Sequence, residues 1–166
     1  VVGNGLLDAT VNVSGVPSAS VLTAIQTSWV DAVTVNANAK ISITSSQYNN
    51  GEGTLYTQLQ KIQNGSDFKL TVTDVTAGLN GAVPAALLDP MVDVVKLADG
   101  QNFVFTKPAD YAAAQSALAS KIVGDYTIEV QKVGADNAIA LLRNDSHIAN
   151  ITLKSGEQLN VNANTL

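Results

Sequence analysis

Phe68-Lys69-Leu70-Thr71-Val72 reads again as Tyr126-Thr127-Ile128-Glu129-Val130, 58 residues later, and 59 residues earlier as Ala9-Thr10-Val11-Asn12-Val13. In each stretch apolar and polar residues alternate with the period of two that a strand with one buried face requires. A recurrence near 58 residues sets the architecture, because a repeated unit packs on its neighbours in a repeated way. Working outward from Phe68 divides the chain into a first repeat with its lead-in (1–67), a second (68–125) and a partial third (126–166).

The parts of each repeat follow in the same order. In the first, the strand at Ala9–Val13 meets a turn at Ser14–Pro17 and then Val21, Leu22 and Ile25 on a short helix, with Ser18 or Ser20 as its N-cap. Val30, Val33 and Val35, then Ile41 and Ile43 across Asn36–Lys40, read as a hairpin. Thr44-Ser45-Ser46 caps a second helix, which is interrupted at Asn49–Gly53 and resumes with Leu55, Leu59 and Ile62. The second repeat has a Gly-rich link (Gly78, Gly81), a helix around Pro84–Leu88, and a hairpin through Ala98-Asp99-Gly100-Gln101. Asp-Gly between two alternating runs is a strong short-range hairpin signal. A helix then starts at Thr106–Asp110, with Tyr111, Gln115, Leu118 and Ile122 on one face. In the third, Asp136 is placed as an N-cap before a helix at Ala138–Leu142, and Ile148, Ile151 and Leu153 lead through Lys154–Glu157 to Leu159 and Val161.

Superposed, the repeats align Val33 with Val95 and Ile151, Ile41 with Phe103 and Leu159, and Asn38 with Gly100 and Gly156. Asn and Gly are the residues that enter left-handed backbone space most readily, so three turns agree on one chemistry. The order strand, short helix, two strands, longer helix defines an α+β fold of repeated β-α-β-β-α units. It matches the split β-α-β sheet of ferredoxin-like folds, with helices on one face. A continuous α/β solenoid, in which the strand at Phe68 closes one unit and opens the next, is the alternative.

Composition narrows the function. Hydrophobic residues are 46% of the chain and charged residues 14%, with a net charge of −5 and one arginine, Arg143. Nine cations scattered against fourteen anions form no basic stripe, which argues against nucleic acid as a partner. No apolar run approaches the roughly 20 residues of a membrane span, so no membrane insertion is expected. Cysteine is absent, which removes disulfides, thiol catalysis and cysteine-based zinc sites together. A start at Val1 without an initiator Met and an end partway into a repeat lead to the expectation of a piece of a longer polypeptide.

No catalytic residue is assigned. The single histidine, His147, aligns with Trp29 and Met91, so that position carries bulk without shared chemistry, and Trp29 is expected in the core. No serine lies in G-x-S-x-G, and Gly78-Leu79-Asn80-Gly81 lacks the spacing and the Lys of a phosphate-binding loop. Asp89, Asp93 and Asp99 are the candidate metal ligands, for calcium, with Asp31 aligned to Asp93 and Ala149 in the third repeat. They form no Asp-x-Asp-x-Asp-Gly loop, and turn chemistry accounts for most of them. Trp29, Tyr48 and Tyr56 are the candidate ligand-binding residues, near the divergent Asn49–Gly53 loop.

Leu118-Ala119-Ser120-Lys121-Ile122 followed by Tyr126–Val130, then Ala135–Ala138, Leu141-Leu142 and His147–Ile151, resembles the tandem repeats of very large secreted or surface-attached bacterial proteins, adhesin-like or surface-layer-like. The resemblance implies secretion or a cell-surface location and a modular stalk or array. No cofactor is expected, with calcium as the alternative that the resemblance adds. It transfers no active-site residue. The expected function is a non-enzymatic structural or adhesive repeat module of a larger exported protein. Its expected partners are neighbouring repeats of the same polypeptide, surface glycans or other surface proteins. A carbohydrate- or other ligand-binding module, or an accessory domain of a secreted enzyme, is the alternative.

Overall fold

The computed structural model describes residues 10–48, 55–63, 68–78 and 82–160, with the side chain of Tyr56 left aside. Ala9, the loop at Asn49–Gly53, and Leu79, Asn80 and Gly81 of the glycine-rich link lie outside the described residues. The chain mixes α and β. Its elements run β1 (Asn12–Val16), α1 (Ser18–Gln26), β2 (Ala32–Val35), β3 (Ala39–Thr44), α2 (Ser45–Tyr48), α3 (Leu55–Leu59), β4 (Phe68–Val75), α4 (Ala85–Leu88), β5 (Val94–Leu97), β6 (Gln101–Phe105), α5 (Pro108–Lys121), β7 (Ile122–Val123), β8 (Tyr126–Val133), α6 (Ala135–Asn144) and β9 (Ile148–Leu153). They form two compact units, Val1–Thr73 with Met91–Val94, and Asp74–Pro90 with Val95–Leu166.

In the first unit β1 runs parallel to β2, with Val13 opposite Val33, and β3 runs parallel to β4 without a break from Ala39–Phe68 to Thr44–Thr73. The outer side of β2 is taken by the segment after α3: Val33 N–H donates to Lys61 O, and Gln63 N–H donates to Val33 O. In the second unit β5 pairs in parallel with β7, Val95 opposite Ile122. There β8 lies between β6 and β9, both parallel to it.

This pairing corrects the hairpins read from the sequence. β2 and β3, although joined by a tight turn, pair with β1 and β4 respectively. β5 pairs with β7, and β6 with β8. With every resolved pair parallel, the antiparallel hairpin of a ferredoxin-like sheet is not formed by these strands. The reason lies in the turns. Asn38 (φ 60°), Gly100 (φ 69°) and Gly156 (φ 81°) do enter left-handed space, as their residue types require, but Ala37, Asp99 and Ser155 before them do not. Positive φ at the second central residue alone is the type II pattern, which splays the flanking strands; a two-residue type I′ hairpin turn needs it at both.

A second set of left-handed residues lies within the strands: Gly15 (φ 67°), Asp74 (φ 56°) and Lys132 (φ 55°). Each interrupts the alternation by one residue. β4 and β8 both bury their third, fifth and eighth residues, Leu70, Val72 and Val75 in one and Ile128, Val130 and Val133 in the other. The pairing register shifts at this point between Val13 and Val16 and between Val130 and Val133. The extra residue turns the last valine back to the inner face, which is what a β-bulge does. Val16, Val75 and Val133 then accept, through their carbonyls, the amides of Asn36, Ala98 and Lys154, each at 3.0 Å.

The helix ends also differ from expectation. α1 has Pro17 at its N-cap, and Ser18 sits inside the first turn, where its Oγ accepts the Lys40 amide at 2.9 Å. α6 begins three residues before Ala138, with Gly134 as N-cap and Asp136 in its first turn. Gly134 has no side chain to offer, and Glu157 supplies the missing acceptor from across the turn, its Oε2 taking the Ala135 amide at 2.6 Å. A carboxylate there is favoured by the positive end of the helix. Thr44 does cap α2 as read: its Oγ1 accepts the Gln47 amide at 3.3 Å while Gln47 Oε1 accepts the Thr44 amide at 2.9 Å, a capping box. On α5 the buried face is Tyr111, Ala114 and Leu118, and Gln115 is exposed.

Each unit has its own apolar core, with Val21, Ile25, Val33, Ile41, Ile43, Leu59, Leu70 and Val72 in the first, and Leu87, Val95, Phe103, Phe105, Tyr111, Leu118, Ile128, Val130 and Val133 in the second. Trp29 is not among them. It is 66% exposed, which overturns its placement in the core. It lies in the turn between α1 and β2, where the next residue, Val30, fills the interior instead.

Candidate functional site

Among the described residues, polar and aromatic side chains form a closed circuit in the second unit. Tyr111, buried on α5, donates its hydroxyl to Asp145 Oδ2 at 2.8 Å. Asp145 Oδ1 lies 2.8 Å from His147 Nδ1 and accepts the His147 amide at 2.9 Å. The His147 ring stacks on Tyr126 at a centroid distance of 4.2 Å and an interplanar angle of 5°. Tyr126 meets Phe103 edge-on at 5.8 Å, Phe103 lies 6.5 Å from Phe105, and Phe105 meets Tyr111 at 5.7 Å. The circuit joins α5, β6, β8 and the α6–β9 turn. Edge-on and offset aromatic pairs of this kind add about 0.5–1.5 kcal/mol beyond area burial.

Its electrostatics centre on Asp145, whose side chain is 13% exposed. Burial opposes its ionisation, but the bonds from the His147 amide and ring and from the Tyr111 hydroxyl outweigh that and hold the carboxyl below its usual range. Burial, then the hydrogen bond to Asp145 and its negative charge, push the Tyr111 phenol well above the ordinary range. Tyr126 is raised by burial and by the Asp145 charge. Chemically, the arrangement fixes a carboxylate and uses it to orient an imidazole through Nδ1. The side chain of His147 is 45% exposed, and its Nε2 takes no part in that bond.

The sequence-derived candidates lie elsewhere. Asp93 accepts the Leu70 amide through Oδ2 at 2.8 Å and returns its own amide to Leu70 O at 3.0 Å. Asp31 does the same with Val11, at 2.8 and 3.0 Å. In the aligned third position Ala149 has no carboxylate, and the backbone carbonyl of His147 takes the Ile128 amide at 2.8 Å. These aspartates therefore terminate strand pairings. Asp89 is the C-cap of α4, and its carbonyl accepts Lys121 Nζ at 2.6 Å. Asp99 is an exposed turn residue whose carbonyl accepts Gln101 Nε2. Among the described residues no three His, Asp or Glu side chains gather as a metal-ligand group. Of the ligand candidates, Trp29 is exposed, Tyr48 is 8% exposed in the first unit's core, and the side chain of Tyr56 is outside the described set.

Two of the surface hollows are lined by described residues throughout. One, of about 200 Å³, is lined by Gly100, Gln101, Asp125, Tyr126 and Thr127, and so borders the aromatic circuit. The other, of about 420 Å³, lies along β1 and α1 from Val13 to Ala24. Asp145 was not singled out from the sequence and Tyr111 was read only as part of a helix face, although two signals were there: Asp145-Ser146-His147 closes α6, and Tyr111 brings a hydroxyl onto the buried face it shares with Ala114 and Leu118. Among the described residues, no helix is long and apolar enough to cross a membrane. Comparison with protein-family models, with curated protein sequences and with solved structures finds no match.

Proposed function

We propose that the chain is a non-enzymatic structural or adhesive segment of a larger exported cell-surface protein, built from repeats that continue one another as in an α/β solenoid. The observation that carries this reading is the recurrence of one contact set at positions aligned by sequence. Lys61 Nζ reaches the carbonyl of Thr27, the C-cap of α1, at 3.2 Å, and Lys121 Nζ reaches that of Asp89, the C-cap of α4, at 2.6 Å. Cations are favoured at helix C-termini, where unpaired carbonyls concentrate negative charge. Ile62 and Ile122, one residue on, face Val33 and Val95 in parallel register. Scaffold contacts thus recur, whereas the position held by Trp29, Met91 and His147 does not keep its chemistry. Acidity and the missing cysteines add support for export. Antibodies raised against this chain, applied to intact cells of its source, test the location. Labelling without permeabilisation is expected, and labelling only after permeabilisation refutes it.

A second reading, a carbohydrate-binding module, is favoured by the 66% exposure of Trp29, since an exposed indole provides a stacking face. Glycan-array or calorimetric binding by the folded protein that disappears in Trp29→Ala would establish it. Binding that survives the substitution would remove it.

A further inference from the structure

The outer side of β9 is less covered than its aligned counterparts. Val33 and Val95 are fully buried, whereas Ile151 is half-buried. Ile41 and Phe103 are buried to 2% and 1% exposure, whereas Leu159 is 38% exposed, and Leu142 on α6 is 45% exposed. What covers the counterparts is the same in both units. Lys-Ile stands at or just after a helix end, the isoleucine pairs in parallel with the strand valine, and the lysine reaches the C-cap carbonyl of the helix before that strand. Lys61-Ile62 serves Val33 and Thr27, and Lys121-Ile122 serves Val95 and Asp89. The third set of receiving groups is built to the same plan, with Ile151 aligned to the valines and Asp145 as the C-cap of α6. A carbonyl oxygen has two lone pairs, and that of Asp145 is engaged by the Ile148 amide at 3.2 Å, as that of Thr27 is by the Val30 amide at 3.1 Å beside Lys61.

We infer that the edge of β9 at Ile151, together with the C-terminal carbonyl of Asp145, is a docking surface for one occupant: an amphipathic helix followed by Lys-Ile, of the kind that α3 with Lys61-Ile62 and α5 with Lys121-Ile122 supply within their own repeats. The isoleucine would pair with Ile151 as Ile62 does with Val33, whose N–H and C=O both turn toward Lys61–Gln63. The lysine would neutralise the end of α6, and the helix would cover Leu142 and Leu159. Among the described residues no strand pairs with the outer edge of β9, and a free strand edge beside apolar side chains is the form of surface that strand addition uses. The inference rests on the repeat reading above and adds which contacts close each repeat.

The test grafts the occupant onto the full chain in register. Because Leu159 and Val161 align with Phe103 and Phe105, residues 162–166 are replaced by a second copy of Thr106–Asp125. At least ten-fold slower hydrogen exchange of the Ile151 amide is expected, with a higher thermal midpoint. A matched graft carrying aspartate in place of the isoleucine should lose the protection, and one carrying methionine in place of the lysine should lose part of it. Unchanged exchange at Ile151 in a graft whose helix forms by circular dichroism overturns the inference, and so does equal protection from the aspartate graft. Surface labelling of cells reads location alone, so either result can fail without the other.

Discussion

Tyr111→Phe isolates the link between the aromatic circuit and Asp145. The substitution keeps the ring, which is 1% exposed and packs against Phe105, and removes only the hydroxyl that donates to Asp145 at 2.8 Å. A hydrogen bond to a charged acceptor contributes about 1.5–3 kcal/mol. Asp145 keeps its two bonds from His147 and retains some solvent access, which places the loss at the lower end, about 1.5 kcal/mol at pH 7. In a chain of this length that lowers the thermal midpoint by about 3–6 °C. The pH dependence is the sharper signature. Asp145 has a folded pKa below its unfolded value near 3.9, so its contribution is present above about pH 4 and is lost as pH falls through the folded pKa. Tyr111 has a folded pKa above its unfolded value near 10, so its contribution is present below about pH 10 and is lost as pH rises toward the folded value. Urea denaturation from pH 3 to pH 11 should therefore give a wild-type-to-variant difference that is full between about pH 4 and pH 10 and narrows on both sides. A difference below about 0.5 kcal/mol at pH 7, or one that does not change across this range, would refute the role assigned to the Tyr111–Asp145 bond.

Three further substitutions probe the scaffold. Asp93→Ala removes the acceptor of the Leu70 amide and should cost about 1 kcal/mol, with faster exchange of that amide; Asp93→Asn, which keeps an acceptor oxygen, should cost about half as much. Gly100→Ala places a Cβ in open space at φ 69°, so only backbone strain acts, and a loss of about 1 kcal/mol in thermal or urea unfolding is expected, most of it recovered in Gly100→Asn. Glu157→Ala deprives α6 of its acceptor at Ala135 and should cost about 1 kcal/mol, seen in thermal unfolding followed by circular dichroism at the helix band.

The elements themselves were largely legible. Alternation in Phe68–Val72 and Tyr126–Val130 located β4 and β8, and the Asn38, Gly100 and Gly156 turns have the backbone their residue types require. Strand pairing was not legible, because Asp-Gly favours positive φ at the glycine in either turn type, and it is the φ of Asp99 that separates a hairpin from a splayed corner. Nor were the bulges. Gly15 is an ordinary left-handed residue, but Lys132 occupies the same conformation with no favourable propensity, held there by the pairing around it. Capping was legible where it was local, at Thr44 and Gln47, and hidden where Glu157 reaches Ala135 across 22 residues. The Asp145 cluster was hidden for the same reason, since Tyr111 lies 34 residues from its acceptor.

The position held by Trp29, Met91 and His147 shows why alignment of bulky residues is a poor guide to burial. The shared size of the three residues favoured a packing role, yet Trp29 is 66% exposed and His147 presents nearly half of its side chain to solvent. In both sequences the interior is filled one residue later, by Val30 and Ile148, and Val92 does the same after Met91. A residue freed from the core can change type without disturbing the contacts that recur, the lysines on helix C-caps and the isoleucines on strand edges. Variation at one position and constancy at its neighbours are then two sides of the same packing. The constant neighbours hold the strands, and the variable one is the place on each unit where a surface of distinct chemistry is presented: an indole in the first, and an imidazole oriented by Asp145 in the second. Tests of ligand binding therefore belong at Trp29 and His147, and tests of assembly at Lys61, Lys121 and the edge of β9.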